Sequence, residues 1–513
     1  MASPDSPTAP APDVPRLAGR TPRLHILVIA SEVSPWAKTG GLADVTGALP
    51  AALERLGHEV TTVLPRYRGS RLPDGTLTTR PVTLGAKTYD VGFHVGAVSA
   101  SQRLVMIDVP ALFDRDGIYG REGRDFDDNF ERYGLLAAAA LDFAEHDEER
   151  RRVSVVHAHD WQAGLVPVLL RYAPERYPRL AGAGIVFTIH NLAYQGVFPK
   201  DVVPALGLPW TVFTMDSGEF WGEFSFLKAG LTASDYLTTV SPTYAVETMT
   251  PAFGNGLEGV LQARRSRYVG ILNGVDTDVW NPATDRLLPA NYDATHLSGK
   301  AQCKRALLEH FHFSVGDDAL ARPAVGMVSR LVEQKGLRLI AEAADALVKL
   351  DATWVFVGTG EPRFETLLRD LAGRYPSRVG VHIGFSEPLA HLVEGGSDIF
   401  LMPSIFEPCG LNQMYSLRYG TVPIVRAVGG LDDTIQPYTA RAARANGFKF
   451  REATAEALVR ATRHALRLRQ NHRVWSALVE QGMAADHSWE TSAREYVKVY
   501  RRAHHAAAIR ATA

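Results

Sequence analysis

Three stretches of this chain set cations or a carboxylate beside glycine where an apolar run gives way to a helix-like one. The first is Ser31-Glu32-Val33-Ser34-Pro35-Trp36-Ala37-Lys38-Thr39-Gly40-Gly41-Leu42. Two glycines let backbone approach a bound group closely, and a helix start offers free N–H groups and the positive end of a dipole. Lys38 adds a point charge. The stretch reads equally as an anion site, most simply for phosphate, or as a plain turn with a solvated lysine. The GxxxxGK[ST] spacing of a P-loop is absent. The second stretch, Ser329-Arg330-Leu331-Val332-Glu333-Gln334-Lys335-Gly336, puts a guanidinium and an ammonium near one helix start. Such a pair suits a diphosphate. Two surface cations are the alternative, weakened by a further polar cluster at an equivalent strand end. That third stretch is Pro403-Ser404-Ile405-Phe406-Glu407-Pro408-Cys409-Gly410-Leu411-Asn412-Gln413. Glu407 there is either a helix-start acid or a carboxylate facing sugar hydroxyls or a developing positive charge. Cys409 has no nearby histidine to activate it, so packing or backbone contact is the preferred reading.

More polar groups fall at strand ends: His157-Ala158-His159-Asp160-Trp161, His190-Asn191 and Asn273-Gly274-Val275-Asp276. One such histidine is usually structural; three clusters at successive strand ends are harder to dismiss. Other signals fail their context tests. Gly254-Asn255-Gly256-Leu257-Glu258-Gly259 matches GxGxxG but follows a helix-like stretch, so it is no dinucleotide fingerprint. Asp276-Thr277-Asp278 and Asp114-Arg115-Asp116 are DxD strings without supporting ligands. His157 and His159 lack the i, i+4 spacing of a zinc protease. No metal and no cofactor is expected.

The elements that position these groups follow from periodicity. Apolar runs at 24–31, 58–64, 103–109, 153–158, 184–190, 236–241 and 268–272 read as buried strands. A second series follows at 323–329, 353–358, 379–384, 398–403 and 422–427. Helix-like stretches lie at 42–56, 130–145, 161–172, 336–350, 362–374 and 411–419. This alternation predicts an α/β protein with parallel sheets covered on both faces. The turn-rich region 273–320 reads as irregular and separates two doubly wound domains; from about 455 the chain reads as helical. Ligands of such folds bind beyond the carboxyl ends of the strands, so two domains facing each other make a deep cleft.

Composition bounds the rest. The chain has 513 residues, 46% hydrophobic and 22% charged, so it has the apolar content for a large core. The formal net charge is −1, which gives no global attraction to nucleic acid or an anionic membrane. Two cysteines, Cys303 and Cys409, exclude a disulfide framework and fit a reducing cytoplasm. Residues 1–22, with six prolines, read as a disordered tail without a signal-peptide core. No apolar run approaches the ~20 residues of a membrane span.

The ordered set Lys38-Thr39-Gly40-Gly41-Leu42-Ala43-Asp44, His157-Ala158-His159-Asp160-Trp161, His190-Asn191-Leu192-Ala193-Tyr194-Gln195-Gly196, Asn273-Gly274-Val275-Asp276, Ser329-Arg330-Leu331 with Gln334-Lys335-Gly336, and Glu407-Pro408-Cys409-Gly410-Leu411 resembles the bacterial glycogen synthase family, which is closely similar to plant starch synthases. The likeness runs from about residue 24 to about 500. It implies a GT-B fold: an acceptor-side Rossmann-like domain over 23–273, a nucleotide-sugar-binding one over 274–488, and a C-terminal helix, 489–513, packing back on the first. It implies retaining transfer of glucose from ADP-glucose to the non-reducing 4-hydroxyl of an α-1,4-glucan such as glycogen or maltodextrin, without metal. Carried onto this chain, Lys38, Arg330 and Lys335 match positions that hold the donor phosphates. Glu407 matches the carboxylate beside the transferred glucose, with Cys409 in the same loop. Gly40 and Gly41 belong to the first-loop motif, and Gly410 and Leu411 offer N–H groups. His159 and Asn273 match glucose contacts, Asp44 orders the first loop or meets the sugar, and Phe385 matches a base-stacking tyrosine. Asn412 replaces a frequent threonine, and Tyr415 stands where related families carry a second glutamate.

No second carboxylate is placed as a nucleophile, so transfer on one face of the sugar is expected, with the departing phosphate taking the acceptor proton. An α-glucan phosphorylase would need a lysine holding pyridoxal phosphate, for which no motif is present. A non-catalytic glucan-binding or sugar-nucleotide-sensing protein would not need Lys38, Arg330, Lys335 and Glu407 together.

Overall fold

The computed structural model describes residues 22–512 apart from 73, 122, 150 and 443. The expected tail over 1–22 lies outside the described residues except for Pro22. The first sheet is built from β1 (His25–Ile29), β2 (Glu59–Pro65), β3 (Gly75–Leu84), β4 (Lys87–Ala97), β5 (Gln102–Asp108), β6 (Val155–His159), β7 (Gly184–Ile189), β8 (Tyr236–Thr239) and β9 (Tyr268–Gly270). Its order is β9-β8-β7-β6-β1-β2-β5-β4-β3. The second sheet contains β10 (Ala324–Val328), β11 (Thr353–Gly358), β12 (Val379–Ile383), β13 (Ile399–Met402), β14 (Val422–Arg426) and β15 (Phe448–Phe450), in the order β12-β11-β10-β13-β14-β15. Every pairing in the second sheet is parallel. Its central strands are buried on both faces, as their unbroken apolar runs require.

Helices alternate with the strands. Those that matter below are α1 (Gly41–Arg55), α2 (Pro242–Glu247), α3 (Leu337–Leu347), α4 (Glu387–Gly396), α5 (Asn412–Arg418), α6 (Gly429–Thr434) and α7 (Trp489–Thr512). In α3, the buried Leu337, Ile340, Ala344 and Leu347 recur at three- and four-residue spacing, which gives one apolar stripe.

Two expectations need correction. The first sheet is not wholly parallel: β3 and β4 form an antiparallel hairpin at its edge, and β4 joins β5 antiparallel. β3 escapes an apolar-run reading because most of its residues are exposed, as befits an edge. The stretch 273–320 is not wholly irregular, since helices Ser298–His310 and Asp317–Ala321 lie within it. The longer one buries mainly Cys303, Lys304, Leu307 and Leu308, too sparse a stripe to show as a period.

The chain passes between the sheets at 273–276 and returns at 486–489. The two passages lie side by side: the Val275 N–H donates to the His487 carbonyl at 2.7 Å. α7 then packs across α1 and β7 of the first sheet. The contact is tight, because a Cβ on Gly184 would stand 2.4 Å from the Ala503 carbonyl carbon. Tyr500 completes it with a hydrogen bond of 2.9 Å to the buried His157 ring.

The Gly184 contact yields a prediction. Gly184→Ala forces backbone against backbone and should lower stability by about 1–3 kcal/mol, as overpacking does. Gly182→Ala, where a Cβ meets only the Arg152 guanidinium at 3.7 Å, should change it by less than about 0.5 kcal/mol. Equal urea midpoints for the two variants would refute the close approach.

Candidate active site

The carboxyl ends of both sheets face a cleft of about 1440 Å³. Twelve residues expected from sequence line it: Lys38, Gly40, Gly41, Asp44, Asn273, Arg330, Lys335, Phe385, Glu407, Cys409, Gly410 and Leu411. They come from five chain segments.

On the first-sheet side, β1 delivers Glu32 to the cleft. Its carboxylate accepts the Thr39 hydroxyl at 2.7 Å and the Gly40 N–H at 3.2 Å. The Thr39 N–H and the Tyr119 hydroxyl also donate to it. Sequence reasoning assigns Glu32 no role; here it is the buried post that ties down the glycine turn. Lys38 meets Asp44, one turn into α1, with its ammonium at 2.5 Å. Desolvation raises the Asp44 carboxyl above its ordinary range, and Lys38 works against that shift.

On the second-sheet side, Lys335 and Glu407 form an ion pair of 2.5 Å, with side chains 18% and 6% exposed. The Ser404 hydroxyl adds a hydrogen bond of 3.0 Å to the same carboxylate oxygen. Arg330 is exposed on the cleft wall, and its guanidinium donates to Gln334 at 3.3 Å. Gln334 in turn braces the Glu407 loop: its carbonyl accepts the Ile405 N–H at 2.8 Å. Phe385 stands on the rim with 89% of its surface exposed, a free stacking face. Cys409 is buried, and desolvation pushes its thiol up to about 12. Such a thiol is a poor nucleophile, which agrees with the packing reading. Asn412 donates to the Val328 carbonyl at 2.8 Å and so is occupied within the protein.

His159 is the exception. Sequence places it on the cleft, but its ring is fully buried behind the wall. There its Nδ1 lies 2.9 Å from His190 Nε2, and it is His190 that lines the cleft. The reason is local. Asp160 adopts φ 55°, turning the chain at the end of β6 and leaving His159 inside the sheet. The Asp160 carboxylate then accepts the His190 N–H at 2.7 Å. Desolvation raises Asp160 to about 7, against the N–H groups of His190 and Asn191.

Tyr415 is held by a stack that sequence does not reveal. Its ring lies 3.8 Å from Trp280, whose other face lies 3.8 Å from His391. Asp285 fixes that histidine at 2.7 Å. Among the described residues no group of three or more His, Cys, Asp or Glu is arranged to hold a metal ion.

Two facing Rossmann-like sheets with a cleft between their carboxyl ends have the GT-B architecture of glycosyltransferases. Two family models match in turn: a starch synthase catalytic domain over residues 25–263 and glycosyl transferases group 1 over 316–478. A glycogen synthase of Anaeromyxobacter dehalogenans strain 2CP-C is 50% identical over 479 residues, 93% of this chain and 99% of the relative. One from Koribacter versatilis strain Ellin345 is 45% identical over 485 residues, 94% and 98% of the two chains. The solved catalytic domain of starch synthase IV from Arabidopsis thaliana, bound to ADP and acarbose, superposes with TM-score 0.85 at 33% identity, covering 94% of this chain and all of that one. The chain belongs to the glycogen and starch synthase family.

The buried histidines behind the wall predict a pH dependence. Desolvation lowers His157 to about 3, whereas an unfolded histidine titrates near 6.5. Between those values the unfolded chain binds the extra proton, so this group's contribution is complete above ~6.5 and is lost as pH falls. Asp160 acts in the opposite sense but is common to wild type and variant. The stability gap between wild type and His157→Gln should therefore shrink by up to about 1.4 kcal/mol per pH unit below ~6. A gap that stays constant between pH 7 and pH 5 in urea titrations would contradict a neutral, buried ring.

Proposed function

We propose that this chain is a glycogen synthase that moves glucose from ADP-glucose to the non-reducing 4-hydroxyl of an α-1,4-glucan, with retention at the anomeric carbon. The observation that carries the reading is the Lys335–Glu407 pair, set in a cleft that also receives Arg330 and Lys38. Lys38 and Lys335 each lie against a carboxylate and Arg330 donates to Gln334, so three cations are at hand where a sugar diphosphate needs them. The ADP and acarbose bound by the Arabidopsis relative support a nucleotide and a glucan-like acceptor here.

In the reaction, the bond from the anomeric carbon to the diphosphate oxygen breaks. Negative charge grows on that oxygen, and Lys38, Arg330 and Lys335 offset it, with N–H groups of Gly41, Gly410 and Leu411 contributing. Electrostatic help of this kind acts on charge as it develops. The sugar passes through an oxocarbenium-like state, which the Glu407 carboxylate faces. The acceptor 4-oxygen bonds to the same face of the anomeric carbon, and its proton passes to the departing phosphate. Phe385 stacks on the base, and Asn273 and Asp44 meet the glucose. His159, the glucose contact expected from sequence, acts in this reading through His190, whose orientation it fixes. The second sheet binds the donor, the first the acceptor, and closure of the cleft limits hydrolysis. The chain's two cysteines are buried and unpaired, which supports a reducing, cytoplasmic setting.

The test is the initial rate of nucleoside diphosphate release from ADP-glucose and from UDP-glucose, each with and without glycogen. Glycogen-dependent release from ADP-glucose is expected. Preference for UDP-glucose would overturn the donor assignment, and no release from either would overturn the transfer reading. Arg330→Ala and Lys335→Ala should each lower kcat by about 10²–10³-fold in folded protein. Glu407→Ala should lower kcat as well; a change confined to the donor KM would remove it from the transition state.

A further inference from the structure

The two halves also meet away from the cleft, where α2 of the first packs on α6 of the second. The contacts are reciprocal. The Asp433 carboxylate of α6 accepts the Thr243 N–H at 2.9 Å and the Thr243 hydroxyl at 2.8 Å. The Glu247 carboxylate of α2 accepts the Gly429 N–H, with both oxygens at 3.1 Å. Beside them the Ser241 hydroxyl donates to the Pro408 carbonyl at 2.6 Å. None of the four side chains Ser241, Thr243, Glu247 and Asp433 lines the cleft.

What they grip is the loop that carries Glu407. A Cβ on Gly429, which has φ +44°, would fall 1.9 Å from the Glu407 carbonyl oxygen. A Cβ on Gly430 would fall 2.2 Å from the Cys409 carbonyl oxygen. The start of α6 is thus pressed onto the backbone of 407–409, while its Asp433 and Gly429 are hydrogen-bonded to α2 of the other half. Any tilt of the second half moves the Glu407 loop only if these bonds break or turn with it.

We propose that Thr243 and Asp433, together with the Glu247–Gly429 contact, are positioning residues for glycosyl transfer: they hold the Glu407 loop in register with the first half of the cleft. This rests on the transfer reading above. It assigns the clamp to kcat, since no residue of α2 or α6 lines the cleft. A displacement of about 1 Å at reacting atoms costs up to ~10²-fold in rate.

The experiment uses the full chain as wild type, Thr243→Ser, Thr243→Val, Asp433→Asn and the Val/Asn double variant. Glycogen-dependent ADP release, release without glycogen, and the thermal midpoint are measured for each. Thr243→Ser keeps the hydroxyl and should match wild type. Thr243→Val and Asp433→Asn should lose about 10- to 100-fold in kcat, with donor KM and midpoint nearly unchanged. The double variant should be no slower than the slower single one, and the hydrolysed share of released ADP should rise. A kcat within about twofold of wild type in either folded variant overturns the proposal, as does a loss that merely tracks loss of folded protein. If wild type releases no ADP from either sugar nucleotide, the transfer reading fails on its own. The clamp is then judged by solution scattering, where an unchanged particle shape in both variants overturns it.

Discussion

A carboxylate enclosed in a protein wall needs a partner, because taking a charge out of water costs several kcal/mol. Glu407 has one in Lys335 at 2.5 Å, and much of the cleft is arranged around that pairing. The two residues are 72 apart in sequence. They meet because β10 and β13 are neighbours in the second sheet, so the loops leaving their carboxyl ends run side by side. Gln334 and Asn412 then stitch those loops together. The strand order is the cause, and the charge pair is the consequence.

The first sheet solves a different problem with similar means. A glycine turn at a helix start has little of its own to hold it. Glu32, buried at the end of β1, accepts two of those N–H groups and the Thr39 hydroxyl. One side of the cleft is therefore fixed by a carboxylate beneath a loop, the other by a carboxylate within one. In both, the cations Lys38 and Lys335 already face an acid, so the side chains of the cleft are held in place beforehand.

Relative placement of the two sides rests on little chain. The backbone crosses twice, at adjacent points joined by the bond from Val275 to His487. α7 returns the C-terminal segment to the first sheet, and its Tyr500 bonds the buried His157. Two close crossings form a natural axis of rotation between sheets, the mechanical arrangement by which hinged enzymes open and close. The contacts of α2 with α6 add a few hydrogen bonds that resist rotation.

Sequence alone determined the alternation of strand and helix, since a buried parallel strand is a run of apolar residues and its covering helix an apolar stripe. It also determined which turns carry Lys38, Arg330, Lys335 and Glu407, because motif spacing is local. It did not determine the β3–β4 hairpin, whose residues are mostly solvent-exposed. Nor did it give the partner of Glu407, the task of Glu32, the burial of His159 behind His190, or the stack that holds Tyr415. Apart from the Glu32 bonds to Thr39 and Gly40, which span only seven and eight residues, these depend on which strand ends become neighbours and on how a single residue such as Asp160 turns. Periodicity tells which face of an element is apolar; only the packed order of the strands decides which side chains meet across a gap of 30 to 200 residues.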